Sequence, residues 1–221
     1  MDIPPFEFVP LAKQGLFWPA QRLLFVADLH LGKEASFCRE GIAVPRGASE
    51  TTLQRVHDML AETSASRLAI LGDLFHAKSS LANDVRSLFA SFLASIPNVA
   101  VTLVRGNHDL ATGKLPSEWP IEVTDAPWIV DDLELAHFPS SPQAPRSLTI
   151  AGHLHPAIRL RGNAAHGNKL ACFHYDKAMR CLTLPAIGAF TGTALIRPSR
   201  DDRVWITAED EVMELDVRAI A

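Results

Sequence analysis

Residues 22–33 read RLLFVADLHLGK, and the fold follows from this stretch. The apolar run Leu23 to Ala27 stops abruptly at a carboxylate, Asp28, with an imidazole two residues later at His30. A short, unbroken apolar run of this kind reads as a strand buried on both faces, and such strands belong to sheets covered by helices. The same pattern recurs in RLAILGD (67–73) and VAVTLVRGNHD (99–109). Between these runs lie two stretches of helical period. One spans 48–62, with Leu53, Val56, Met59 and Leu60 on one face. The other spans 82–95, with Val85, Leu88, Phe89, Phe92 and Leu93, and Asn83 as its N-cap. Strand, helix, strand, helix, strand predicts βαβ units and an α/β core.

The second half of the chain changes character. Residues 133–137, 147–151, 157–161, 169–175, 180–184, 203–207 and 211–217 read as short strands joined by turns containing Pro and Gly. No long helical pattern interrupts them, so a second, mostly antiparallel sheet is expected. The loop from Pro139 to Pro145 is too short to tether separate domains. One domain over residues 1–221, with two packed sheets, is the expectation.

Composition narrows the class. Of the 221 residues, 48% are hydrophobic and 21% charged, as in globular proteins with a large core. Apolar runs stay well short of the roughly 20 residues of a membrane span. The start, MDIPPFEFVP, has neither the basic nor the apolar region of a secretory signal. Three cysteines, Cys38, Cys172 and Cys181, lack CxxC spacing, which argues against a disulfide framework and for a reducing cytoplasm.

The polar signals cluster at strand ends, where α/β sheets gather their ligands. Asp28 and His30 follow LLFVA; Asp73 follows RLAILG; Asn107, His108 and Asp109 follow VAVTLVRG; His137 ends LELA; His153 and His155 end SLTIAG. Singly, each has an ordinary explanation. Asp before a helix is most often a cap, Gly-Asp a common turn, and a lone His a satisfied core group. Five such pieces, each closing a strand, point instead to metal. Carboxylate, amide and imidazole donors without cysteine suit Mn²⁺, Fe, Zn²⁺ or Co²⁺, and argue against a structural zinc site. Spacing of two on an extended strand end would aim Asp28 with His30, and His153 with His155, the same way.

In this order, D28-L-H30, G72-D73, G106-N107-H108-D109, H137 and G152-H153-L-H155 resemble the calcineurin-like metallophosphoesterases. The resemblance implies a four-layer α/β/β/α sandwich, two mixed sheets flanked by helices, and two divalent ions, Mn²⁺ foremost. It implies Asp28, His30 and His155 on one ion, Asn107, His137 and His153 on the other, and Asp73 between them. His108 would stand beside the leaving group as the acid, held by Asp109. Paired ions of that type neutralise a phosphoryl group and lower the pKa of a coordinated water, so phosphoester hydrolysis is the expected reaction.

The substrate must be read elsewhere. The net charge of −4 disfavours nucleic acid at first sight, yet two divalent ions would add four positive charges where phosphate binds. Lys33, Arg39 and Arg46 follow the first motif and would grip flanking phosphates. Arg105, Lys114, Arg159 and Arg161 are further cations of undetermined facing. His76 is a candidate substrate contact, with a supporting role for a ligand as the plainer reading. Phe37 and Phe75 would stack on bases or, more plainly, pack in the core. His57, His166 and His174 have no supporting neighbours.

The stretch from Asp28 to Gly47, GDLFHAK (72–78), GHLHP (152–156) and LPAIGAFTGT (184–193) are similar to a bacterial subgroup, the ligase-associated DNA-damage-response phosphoesterases. Cys38 departs from that pattern, where a basic or polar residue is expected. The subgroup implies an endonuclease acting on single-stranded or damaged DNA, or on RNA, in DNA repair. It also implies an ATP-dependent DNA ligase, a helicase and a second nuclease as pathway partners. No membrane association is expected, and a homodimer is open to such a chain. The rival reading is a small-molecule phosphodiesterase acting on cyclic nucleotides or dinucleotides, with a closed pocket. A protein phosphatase would follow its Gly-Asp with a VDRG-type turn, where this chain has Leu74, Phe75 and His76.

Overall fold

The computed structural model describes residues 1–39, 41–77, 83–159 and 169–219. Arg161 and His166 therefore lie outside the described residues, as does the side chain of Arg39. The chain opens with a small hairpin, β1 (Asp2–Ile3) and β2 (Phe6–Glu7). A six-stranded sheet follows in chain order: β3 (Val9–Pro10), β4 (Leu16–Trp18), β5 (Leu23–Val26), β6 (Arg67–Leu71), β7 (Ala100–Val104) and β8 (Ile121–Thr124). Strands β5 to β8 run parallel, and β3 and β4 add antiparallel at one edge.

Three helices occupy the crossovers: α1 (Lys33–Arg39), α2 (Ala48–Thr63) and α3 (Asn83–Ser95). A fourth, α4 (Asn107–Thr112), is a short turn after β7. The helical stripes read from sequence match: Leu53, Val56, Met59 and Leu60 of α2 and Val85, Phe89, Phe92 and Leu93 of α3 pack on Leu24, Val26, Leu68 and Ile70. Phe75 belongs to this core, with its ring against those of Phe89 and Trp119, so it packs rather than stacks on substrate. Truncating a ring as buried as Phe89 costs about 3–5 kcal/mol.

The second sheet is mixed. It contains β9 (Trp128–Val130), β10 (Leu133–Leu135), β11 (Leu148–Ala151), β12 (Pro156–Arg159), β13 (Lys169–Asp176), β14 (Cys181–Thr183), β15 (Ala194–Leu195), β16 (Arg203–Ala208) and β17 (Glu211–Leu215). Most pairs are antiparallel, as expected, but β10, β11 and β14 form a parallel ladder, and β12 pairs parallel with β15. Alternation along β13 and β16 sorts their side chains by face. Phe173 and Trp205 join Phe25, Ala69 and Leu71 between the sheets, whereas Cys172, Val204 and Ile206 face away, against Val217. Among the described residues that outer face is covered by a single 3-10 turn, Val217–Ala219, in place of a long helix.

This stacking positions the site. Two parallel ladders, one in each sheet, end at the same edge of the sandwich, so loops leaving β5, β6 and β7 meet loops leaving β10 and β11.

Candidate metal centre and active site

The segment after β5 is not extended. Asp28 and His30 have φ of 56° and 47°, Asp73 has 50°, and His153 and His155 have 70° and 46°. Left-handed backbone in five such residues corrects the expectation that strand-like alternation aims each pair. Around Asp28, His30 and Asp73 the two loops are zipped together: Asp28 N–H donates to Gly72 O (3.2 Å), His30 N–H to Asp73 O (2.8 Å) and Leu31 N–H to Leu74 O (2.9 Å). Asp and His tolerate this region better than bulky residues, and strain of this kind gathers at functional sites.

Two glycines make room for the side chains. Gly72 has φ of 78°, and a Cβ there would overlap the His137 ring. A Cβ on Gly106 would overlap the Asp73 carboxylate.

The seven candidate ligands come together. Asp28, His30 and His155 can surround one ion, and Asp73, His137 and His153 a second. Asn107 joins the second group, its Oδ1 3.0 Å from His137 Nε2. Asp73 reaches both sides: Oδ2 lies 3.7 Å from His30 Nε2 and Oδ1 3.5 Å from His137 Nε2.

The donor chemistry fits cations. His137 Nδ1–H donates to the Leu71 carbonyl (3.1 Å) and His155 Nδ1–H to the Gly192 carbonyl (2.9 Å). A carbonyl can only accept, so each neutral ring turns an Nε2 lone pair inward. Those lone pairs meet further acceptors: Asn107 Oδ1 and Asp73 Oδ1 for His137, and Asp28 Oδ1 at 3.5 Å for His155. Asp28 Oδ1 is buried with no hydrogen-bond partner, while Oδ2 accepts from His153 N–H (2.8 Å). Buried carboxylates facing lone pairs are costly unless a cation lies among them.

The electrostatics divide the imidazoles. Burial, with Lys33 and the neighbouring imidazoles, pushes His30 down to about 2, so the ring is neutral and free to coordinate. Burial and His137 also lower His153. Burial lowers His155, but the Asp28 carboxylate and the Gly192 carbonyl outweigh it and raise the group overall.

His108 and Asp109 part company. His108 Nδ1 is held by the main-chain carbonyl of His76, and its Nε2 faces Asp73 Oδ2 at 3.9 Å. Asp109 does not touch it, contrary to the sequence expectation. Successive residues on α4 point about 100° apart, so Asp109 turns inward to accept from Gly106 N–H (2.9 Å) and Leu74 N–H (3.0 Å). Burial pushes its carboxyl up to about 6, against those amides. Asp109 is a brace for the loop, not the partner of the acid.

His76 lies beside the centre, and its ring, with those of His30 and His108, forms a third group close enough to hold an ion. Its ring stacks on His108, with centroids 5.2 Å apart, and its Nδ1 lies 3.5 Å from His30 Nδ1. Burial, then Lys33, pushes it down to about 4. Sequence reading missed the Leu71, His76 and Gly192 carbonyls, because a backbone acceptor leaves no residue-type signal.

The basic residues divide. Lys33 reaches the centre electrostatically: burial lowers its amine and Asp73 opposes that shift, while its Nζ lies 5.8 Å from the Phe37 ring. Arg46 does not join it; it is exposed and lines a separate cavity of about 490 Å³ with Glu34, Glu50 and Asp84. Arg105 is engaged by Asp125 at 2.6 Å, and Lys114 and Arg159 are exposed. His174 pairs with Asp202 at 3.0 Å in the second sheet, a structural contact.

A family model described as calcineurin-like phosphoesterase matches residues 21–179. The chain belongs to that family. Among solved structures, this phosphoesterase is similar to the Pseudomonas putida nuclease MPE, with 33% identity over 97% of this chain and 98% of the other, and a TM-score of 0.84. It also matches the E. coli phosphoesterase YfcE at 16% identity, covering 90% and 94% of the two chains, with a TM-score of 0.38. No curated protein matches it. Among the described residues no helix is long and apolar enough to cross a membrane.

Proposed function

We propose that the chain is a two-metal phosphodiesterase that cuts single-stranded or damaged nucleic acid. The observation that carries the reaction is the convergence of Asp28, Asp73, Asn107 and four imidazoles, two of which, His137 and His155, are held with an Nε2 lone pair inward. Two divalent ions held there, Mn²⁺ foremost, would neutralise the phosphoryl charge and acidify a coordinated water.

The chain's own residues do the rest. The carbonyls of Leu71 and Gly192 keep His137 and His155 in the coordinating tautomer. The His76 carbonyl holds His108 with Nε2 towards the centre. From there, protonated His108 gives its Nε2 proton to the departing oxygen. General acid catalysis of that kind contributes about 10²–10⁴ in rate. Lys33 supplies a charge for a flanking phosphate.

Two observations favour a polymer over a small molecule. Asn107 is exposed and His108 and His153 are half-buried, so the centre opens on the surface. The similar Pseudomonas putida protein is a nuclease. The test is hydrolysis by the Mn²⁺-loaded protein of single-stranded DNA and RNA, beside a small diester and a monoester. Strand cleavage is expected. Turnover of the small diester with every polynucleotide intact would overturn the nuclease reading and favour a small-molecule phosphodiesterase.

A further inference from the structure

Four large apolar side chains stand exposed near the centre: Leu110, Phe138, Leu154 and Phe190. Each lies within two residues of a group already described, namely His108, His137, the His153–His155 pair and Gly192. Apolar groups gathered on a surface mark an interaction site more often than chance.

The two aromatic members are held in place. The Phe138 ring lies 4.8 Å from that of His137 and 4.4 Å from that of His153, centroid to centroid, yet the residue is 51% exposed. Phe190, 42% exposed, rides on a loop tied to the opposite half of the centre. Ile187 N–H donates to Ala27 O, Gly188 N–H to Asp28 O, and the Gly192 carbonyl accepts from His155. Phe190 has φ of 60°, a conformation that a bulky side chain adopts only when its surroundings impose it. Phe138 thus stands beside one candidate ion group, and the loop that carries Phe190 is bonded to the residues of the other.

We propose that Phe138 and Phe190 are stacking platforms for unpaired bases on either side of the scissile phosphate. This rests on the polynucleotide reading above and adds the source of its strand preference. Every base offers a π-face to an aromatic ring, whatever its identity, so such platforms are tolerant of sequence. Bases in a duplex have both faces occupied, so only an unpaired strand can use them. A phosphate drawn to the metal centre, with Lys33 beside it, leaves its two flanking bases to settle on the apolar rim.

The test uses the Mn²⁺-loaded protein and four forms: wild type, Phe190→Ala, Phe138→Leu and Phe138→Trp. Phe138→Leu keeps bulk against His137 and His153 while removing the ring, and metal content is measured to verify that the centre is retained. Substrates are an oligothymidylate and an abasic oligomer of the same length, with binding followed by fluorescence anisotropy and cleavage by KM and kcat. Phe190→Ala and Phe138→Leu should each raise KM for the oligothymidylate by about 5- to 150-fold, the range of one stacked base. Phe138→Trp should restore it, and all four forms should bind the abasic oligomer alike. A wild-type KM in both variants, or equal losses on the abasic oligomer, overturns the platforms while strand cleavage itself stands; the apolar rim would then face a protein partner. If wild type cuts only a small diester, the polynucleotide reading falls and the platforms fall with it.

Discussion

His137 is locked to Leu71: its Nδ1–H donates to the Leu71 carbonyl at 3.1 Å, and the next residue, Gly72, has no side chain to obstruct the ring. The bond fixes which nitrogen faces the centre. Gly72→Ala would place a methyl group on the imidazole and force φ of 78° on a residue that disfavours it. If His137, Asn107 and His153 hold an ion, the variant should lose it, with metal content per chain falling and turnover dropping at least ~100-fold. Elemental analysis beside an activity assay checks this. A folded variant with full metal content and ordinary turnover would show that the glycine is not there for His137.

His108→Ala should keep its metal, since the ring is not among the seven candidate ligands. Turnover should fall by about 10²–10⁴ on a diester with an alkoxide leaving group, and far less on one losing a nitrophenolate, which needs no proton. Equal losses on the two substrates would remove His108 from the role of acid.

Asp109→Ala should act on stability rather than on protonation. The amides of Gly106 and Leu74 would lose their acceptor, at a cost of about 1–3 kcal/mol. For a chain of this size that is a fall in melting temperature of roughly 2–12 °C. Thermal denaturation measures it. An unchanged melting temperature with a displaced pH–rate profile would return Asp109 to the acid's side.

Asp202 gives the fold a pH dependence remote from the centre. Burial raises its carboxyl, but hydrogen bonds from His174, Ser199 and Lys177 outweigh that and hold it below the usual value of 3.8. With the folded pKa below the unfolded one, the stabilisation is present above 3.8 and is lost as pH falls through the folded value. Asp202→Asn should therefore melt below wild type at pH 6, and the gap should narrow below about pH 4. Melting curves from pH 3 to 7 decide it, and a gap that is constant throughout would contradict the assignment.

The thiols should report the core. Burial pushes Cys172 up to about 12 and Cys181 up to about 11, whereas Cys38 is exposed. A thiol reagent at pH 8 should label one cysteine quickly and the other two only after denaturation. Rapid labelling of all three would mean that the second sheet opens readily.

Strands β5, β6 and β7 were legible because both of their faces are buried, so their apolar runs are unbroken. β1, β2 and β3 are two-residue pieces, shorter than any pattern can resolve, and Pro10 argues against a strand except at an edge. The candidate ligands were legible because each closes a strand. Asp109 was misread because adjacency in sequence is not adjacency on a helix. Lys33 and Arg46 read alike, but one begins α1 beside the centre and the other follows that helix into a different cavity, a distinction that needs the backbone. Phe138 and Phe190 carried no signal, because an exposed ring and a core ring have the same letter.

Two cations sharing Asp73 would be magnetically coupled. Titration with Mn²⁺, followed by electron paramagnetic resonance, tests it most directly. Two ions per chain should bind with a spin-coupled spectrum, and Asp73→Asn should abolish the coupling and lower the occupancy. A single uncoupled ion in the wild-type protein, or a coupled pair that persists in Asp73→Asn, would rule out a pair shared by Asp73.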